Sequence, residues 1–172
     1  MTQPIDYNQI SQIYDDVRRS HDDLIDLLIA GARLDAESRV LDIGCGTGNY
    51  TSMLQARLQT MIYGIEPSDG MREQAQAKNP HLEVRAGHAG QIPYEEDFFD
   101  FAYMTDVIHH VPDLPAMFVA VARVLKPDGI LCIVTQTHLQ IEKRPITKFF
   151  PETIVADQKR YPTIARIIDS AR

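Results

Sequence analysis

The sequence predicts an α/β fold, a doubly wound and mainly parallel sheet with helices on both faces. Three observations predict it. Short β-prone apolar runs alternate with stretches whose apolar residues recur at helical spacing. The last of these runs, Ile130 to Thr135, is apolar almost without interruption, which suits a strand buried on both faces. Three closely spaced glycines, Gly44, Gly46 and Gly48, join the first strand to the helix after it. Alternation of this kind implies parallel strands linked by right-handed helical crossovers.

The elements follow in order. Asp6 to about Arg33 reads as helical, with a dense apolar stretch from Leu24 to Ile29 and a break at Gly31. Val40-Leu41-Asp42-Ile43 is a short buried strand. Tyr50, Met53, Leu54 and Leu58 fall on one helical face, and Asn49 is placed to cap that helix. Met61–Ile65 is a strand, Ser68–Lys78 a helix, Leu82–Ala86 a strand and Phe98–Met104 a fourth strand. Asp113–Leu125 is a helix with Leu114, Met117, Val121 and Val124 aligned, and Pro115 fits its first turn. Lys126-Pro127-Asp128-Gly129 is a turn before the fifth strand. In the tail from Gln140 to Arg172, prolines at 145, 151 and 162 imply two short helices on loops, placed as a cap over a site.

The 172 residues fit one domain, read as a helical lid (1–34), a core (35–138) and a helical tail (139–172). Seventeen Lys and Arg against 24 Asp and Glu give a net charge of −7, which argues against a nucleic-acid partner. No apolar run is long enough to span a membrane, and the terminus MTQPIDYNQ lacks the pattern of a secretory signal. Cys45 and Cys132 form neither a disulfide framework nor a metal-ligand cluster, so no metal is expected and a cytoplasmic location suits them.

The sharpest feature is Val40–Asn49, in which a strand runs into Gly44-Cys45-Gly46-Thr47-Gly48 and a helix starts at once. Such a turn brings backbone N–H groups to an anionic group of a ligand. Glu66 closes the second strand, where a carboxylate accepts hydrogen bonds from ribose hydroxyls. The dinucleotide fingerprint places its third glycine one residue later than this chain does. Asp42, just before the turn, would repel a pyrophosphate and favours an ammonium or sulfonium. S-adenosyl-L-methionine carries both, together with a carboxylate and a ribose.

Val40–Tyr50 resembles the first motif of the class I S-adenosylmethionine-dependent methyltransferases. More closely, the chain is similar to the small-molecule group that includes the ubiquinone and menaquinone C-methyltransferases. Gly64-Ile65-Glu66-Pro67-Ser68 with Met71, Phe98-Phe99-Asp100, Ile108-His109-His110-Val111 and Leu125-Lys126-Pro127-Asp128-Gly129 match further motifs in order. The resemblance implies a Rossmann-like sheet ordered 3-2-1-4-5 and methyl transfer to a small-molecule acceptor, with S-adenosyl-L-homocysteine as product. The alternative is a catalytically inactive cofactor-binding module or a truncated methyltransferase domain.

The cofactor-binding residues it implies are Tyr14, Asp42, Gly44, Cys45, Gly46, Gly48, Glu66, Pro67, Met71, Gly87, His88, Ala89, Thr105 and His110. Asp42, Gly44 and Gly46 would line the methionyl and ribose part, Glu66 would hold the ribose, and Pro67 and Met71 would flank adenine. Gly87-His88-Ala89 stands where the family often has Gly-Asp-Ala, so either the His88 imidazole or the Ala89 backbone meets adenine. Thr105 would face the methionyl end. Tyr14 looks like the aromatic residue of a lid, with Tyr7 one heptad earlier. His109 or His110 is a base or a packing residue, and no catalytic residue is assigned. Cys45 is read as a small spacer. Phe149-Phe150-Pro151 lines an acceptor pocket or anchors the tail. The acceptor, and whether carbon, oxygen or nitrogen is methylated, stay open. The family core carries a further hairpin beside the fifth strand, and no counterpart follows Thr135. The expectation is therefore an exposed strand edge that pairs with a second copy as a homodimer.

Overall fold

The computed structural model describes residues 6–17 and 21–172. Where the sequence reads as helical from Asp6 to about Arg33, the described part forms three helices: α1 (Tyr7–Ile10), α2 (Tyr14–Val17) and α3 (Asp22–Ala32). Residues 18–20 of that stretch lie outside the described residues. Asp6 caps α1, the Ser11 hydroxyl turns back onto Asn8 O, and His21 is extended (φ −118°), so the helical path does not run through. Gly31 is not the break; α3 ends at Arg33, which takes the left-handed conformation.

From there the chain alternates as β1 (Val40–Ile43), α4 (Asn49–Leu58), β2 (Ile62–Glu66), α5 (Asp69–Lys78), β3 (Glu83–Ala86) and β4 (Phe99–Thr105). Then come a 3-10 turn at Ile108–His110, α6 (Leu114–Val124) and β5 (Leu125–Val134). Gly48, not Asn49, occupies the cap position of α4, and Asn49 is its first helical residue. Ser68 caps α5 and Asp113 caps α6, each accepting from a backbone N–H one turn on. Pro115 sits in the first turn of α6 as expected.

The sheet is ordered β3-β2-β1-β4-β5, and every pair is parallel. This is the Rossmann-like order expected, with no antiparallel strand among the described residues. β5 starts at Leu125 rather than Ile130. Leu125 pairs with Phe99 and Ile130 with Phe101, so Lys126–Gly129 bulges out of the ladder instead of preceding it. β5 is also half exposed rather than buried on both faces, because no strand lies beyond it among the described residues.

Side chains alternate across the sheet and build two cores. On one face Val40, Ile62, Phe101 and Tyr103 pack with Ile25 and Leu28 of α3 and Leu54 and Leu58 of α4. On the other, Leu41, Ile43, Ala102 and Met104 pack with Met117, Val121 and Val124 of α6. The tail holds three helices rather than two: α7 (His138–Glu142), α8 (Glu152–Arg160) and α9 (Ile164–Ser170), with a 3-10 turn at Pro145–Lys148. Ile167 of α9 joins the core of α6. Phe149 and Phe150 do not anchor the tail; their side chains are 77% and 50% exposed.

Candidate functional site

The strand order reverses between β1 and β4 at the middle of the sheet, and the cleft forms there, beyond the carboxyl ends of the strands. Asp42 belongs to the buried stretch of β1. Its carboxylate accepts hydrogen bonds from Thr51 Oγ1 at 2.7 Å and from Tyr103 OH at 2.6 Å. Burial pushes its pKa up to about 6, against the pull of those two hydrogen bonds, and the charge of Glu66 adds to the rise.

The turn after β1 is pinned from below, because Gly44 N–H and Cys45 N–H both donate to Ile65 O, at 2.8 and 3.0 Å. Gly44 has φ +72°, and a Cβ there would lie 2.7 Å from Val107 Cγ2. At Gly46 (φ +55°) a Cβ would meet only Tyr14 Cε1, at 3.9 Å. Gly44 is therefore required by packing and by conformation, whereas Gly46 leaves open space in front of its backbone. Cys45 is buried against Gly64, where a Cβ would come 2.8 Å from Cys45 Sγ. Burial and the charges of Asp42 and Glu66 raise its thiol well above the usual range, so it stays protonated and fills space.

Glu66 ends β2 with its carboxylate turned back to the glycine turn. Gly46 N–H donates to Oε2 at 3.1 Å and Ser68 N–H to Oε1 at 2.9 Å. Burial raises its pKa, opposed by those N–H groups and by Arg72. Each oxygen keeps acceptor capacity for a further donor.

Three cavities share Gly44. One, of about 130 Å³, is lined by Tyr14, Asp42, Cys45, Gly46 and Thr105. A second, of about 250 Å³, is lined by Tyr7, Tyr14, Glu66, Pro67, Met71 and His110. A third, of about 320 Å³, is lined by Pro67, His88, Ala89, Val107 and Val111. Twelve of the fourteen site residues expected from the sequence thus come together. Gly48 and Gly87 line none of the three. A Cβ at Gly48 would meet Leu82 Cδ1 at 2.8 Å, and one at Gly87 would meet Pro93 Cδ at 2.9 Å, so packing explains both. His88 is exposed, and its Nδ1 accepts from Gly90 N–H at 3.2 Å.

The amino-terminal helices close the cleft. Tyr7 OH lies 2.9 Å from His110 Nε2, and the Tyr7 and Tyr14 rings meet edge to face. Asp15 accepts from Thr47 Oγ1, Asn49 Nδ2 and Lys78 Nζ, tying α2 to the glycine turn and to α5. Burial acts to raise the Asp15 pKa, but those three donors outweigh it and hold the acid below its ordinary range. Asn8 Oδ1 likewise accepts from Ser68 Oγ and Gly70 N–H. Sequence reasoning missed Asp15, Asp106 and Val107. Asp106 lines two of the cavities at φ +54°, a conformation that aspartate tolerates but does not announce.

No group of three or more metal-ligating side chains occurs among the described residues. No helix among them is long and apolar enough to cross a membrane.

A cleft at the switch point of an all-parallel sheet, floored by a glycine turn and flanked by two buried carboxylates, defines a Rossmann-like α/β protein. The particular family follows from comparison: the chain belongs to the methyltransferase domain family, whose model matches residues 41–133. It is 30% identical over 112 residues to a demethylmenaquinone methyltransferase of Bacillus mycoides (strain KBAB4), covering 60% of this chain and 47% of that protein. It is 31% identical over 116 residues to the 27-O-demethylrifamycin SV methyltransferase of Amycolatopsis mediterranei (strain S699), covering 64% and 43%. A solved structure, a putative methyltransferase from an antibiotic biosynthesis pathway of Anabaena variabilis ATCC 29413, aligns with a TM-score of 0.76 at 26% identity. The alignment covers 87% of this chain and 59% of that one. The chain spans about half the length of the curated relatives it matches.

Proposed function

We propose that this chain is an S-adenosylmethionine-dependent methyltransferase domain acting on a small-molecule acceptor. The observation that carries the reading is the buried Asp42 carboxylate in the wall of the 130 Å³ cavity, beside backbone held open at Gly46. An anion in that place suits a ligand whose reactive end is cationic.

The residues present fit such a cofactor. Thr105 Oγ1 is buried at the cleft without a hydrogen-bond partner among the described residues, and a bound ligand would supply one. Asp42 would attract the ammonium and sulfonium, Glu66 would accept from the ribose hydroxyls, and Pro67, Met71 and Ala89 would give the adenine an apolar slot. Tyr14 and Tyr7 would cover the cleft and exclude water. When bound, the cofactor would supply an electrophilic methyl carried on a sulfonium, to be transferred to a nucleophilic atom of the acceptor. Orientation supplies much of the rate in such a displacement, so no base is assigned. Two free cysteines suit a reducing cytoplasm.

Calorimetry with S-adenosylmethionine and S-adenosylhomocysteine tests the reading. Binding of both is expected, with S-adenosylmethionine held about tenfold or more weakly by Asp42→Asn. Binding of neither, with the protein folded, would refute it.

A further inference from the structure

Beyond the cofactor cleft lies a fourth cavity, of about 300 Å³, built mostly from the tail. Tyr7 lines both this cavity and the second cavity of the cleft. Aromatic rings line up between the two. Tyr7 meets His110 edge to face, His110 lies against His109 with ring centroids 4.1 Å apart, and His109 stacks on Tyr161 at 4.1 Å. His138 Nε2 lies 2.9 Å from Tyr161 O, which fixes the tail against these rings.

The charge of this cavity is unlike that of the molecule. The chain carries a net −7, yet the cavity walls hold two guanidiniums, Arg144 and Arg160, and one carboxylate, Asp157. Arg144 is committed: it bonds Asp157 and the Gln136 side chain and lies over the Tyr161 ring. Arg160 makes only a 3.7 Å ion pair with Asp157 among the described residues, so its planar fork of donors keeps open positions. Burial, then the charge of Asp106, pushes the Tyr161 phenol up, so it remains neutral. Asp106 itself lines the cofactor cavities and not this one.

We propose that this cavity takes the methyl acceptor and that the acceptor carries a carboxylate, held by Arg160 with Tyr161 and Gln136 at its sides. The proposal rests on the methyltransferase reading above. An acceptor held there by its acidic end extends toward Tyr7 and the cofactor cleft with its nucleophilic end. A guanidinium matches a carboxylate with two parallel hydrogen bonds and discriminates against the uncharged amide of the same shape.

The test titrates matched pairs into the full chain: benzoate against benzamide, salicylate against salicylamide, malonate against malonamide. Each titration is run with and without saturating S-adenosylhomocysteine. At least one acid is expected to bind about tenfold more tightly than its amide, and Arg160→Gln is expected to remove that advantage. Arg160→Gln should leave S-adenosylhomocysteine binding unchanged, which also reports that the variant is folded. Equal binding of acid and amide, no acid binding, or an acid preference that survives Arg160→Gln would overturn the proposal. Failure of the parent chain to bind S-adenosylhomocysteine would instead refute the cofactor reading, while the acid preference is still measured in its absence.

Discussion

At the residue scale, Asp42 has the sharpest pH signature. Its pKa is about 6 in the fold against an ordinary 3.8, so the folded chain holds that proton more tightly than the unfolded chain does. The resulting stabilisation is complete below the ordinary value and is lost as pH rises through about 6; above that the fold carries a buried anion. Glu66 is displaced in the same direction. Asp42→Asn removes the charge and keeps the shape, so thermal unfolding at pH 8 should occur at the same or a higher temperature. The same variant should bind S-adenosylmethionine about tenfold or more weakly, on the scale of a lost charge-assisted contact. Binding by the parent chain should weaken as pH falls from 8 to 5, read by calorimetry, and Asp42→Asn should reduce that dependence. Gly44→Ala combines φ +72° with a Cβ 2.7 Å from Val107 Cγ2. It should destabilise by roughly 1–3 kcal/mol in chemical unfolding. Asp42, Gly44 and Glu66 were legible in the sequence because a short strand, a glycine turn and the next strand lie within one local unit. Val107 was not, because its contact with Gly44 spans the crossover to the other half of the sheet.

At the scale of elements, the amino-terminal helices act as a latched cover. α2 is a single turn, too short to persist without tertiary contacts. Asp15 provides those contacts by collecting three donors from α4, α5 and the glycine turn. Asp15→Ala should speed amide exchange across residues 7–17 and lower cofactor affinity several-fold. The pair with Lys78 is partly exposed, so unfolding of the sheet should shift by less than about 1 kcal/mol. Unchanged exchange in that variant would show that α2 is held by something other than this latch. The sequence pointed to a helical lid through Tyr14 but did not place its breaks, since helical periodicity does not register the extended backbone at His21. Asp15 gave no local signal at all: its partners lie 32, 34 and 63 residues away. The tail was underread for a related reason. Prolines mark where helices stop, whereas the start of α7 is marked only by the short Thr137-x-x-Gln140 capping-box pattern, a signal far weaker than apolar periodicity.

At the scale of the whole molecule, the parallel sheet follows from alternation and the position of the cleft from the turn after β1, while the strand order was anticipated from the family resemblance. The exposed outer strand is a separate matter. Among the described residues β5 pairs only with β4, and Ile130, just past its bulge, is half exposed. We propose that this edge supports a homodimer, because an unpaired parallel strand offers a row of backbone donors and acceptors. Light scattering after size exclusion should return twice the 19.5 kDa chain mass, and Ile130→Lys should shift the equilibrium toward monomer. A parent chain that stays monomeric at high concentration would contradict this. The two sides of the active region also differ in where they come from along the chain. The cofactor cavities are lined from Tyr7 to Pro112, while the arginine-lined cavity draws Gln136, Arg144, Asp157, Arg160 and Tyr161 from after β5. In evolutionary terms these are separately heritable parts. On the reading proposed above, a recombination junction just after β5 would exchange all of the acceptor side but Tyr7 and His109 in one event while leaving the cofactor side intact.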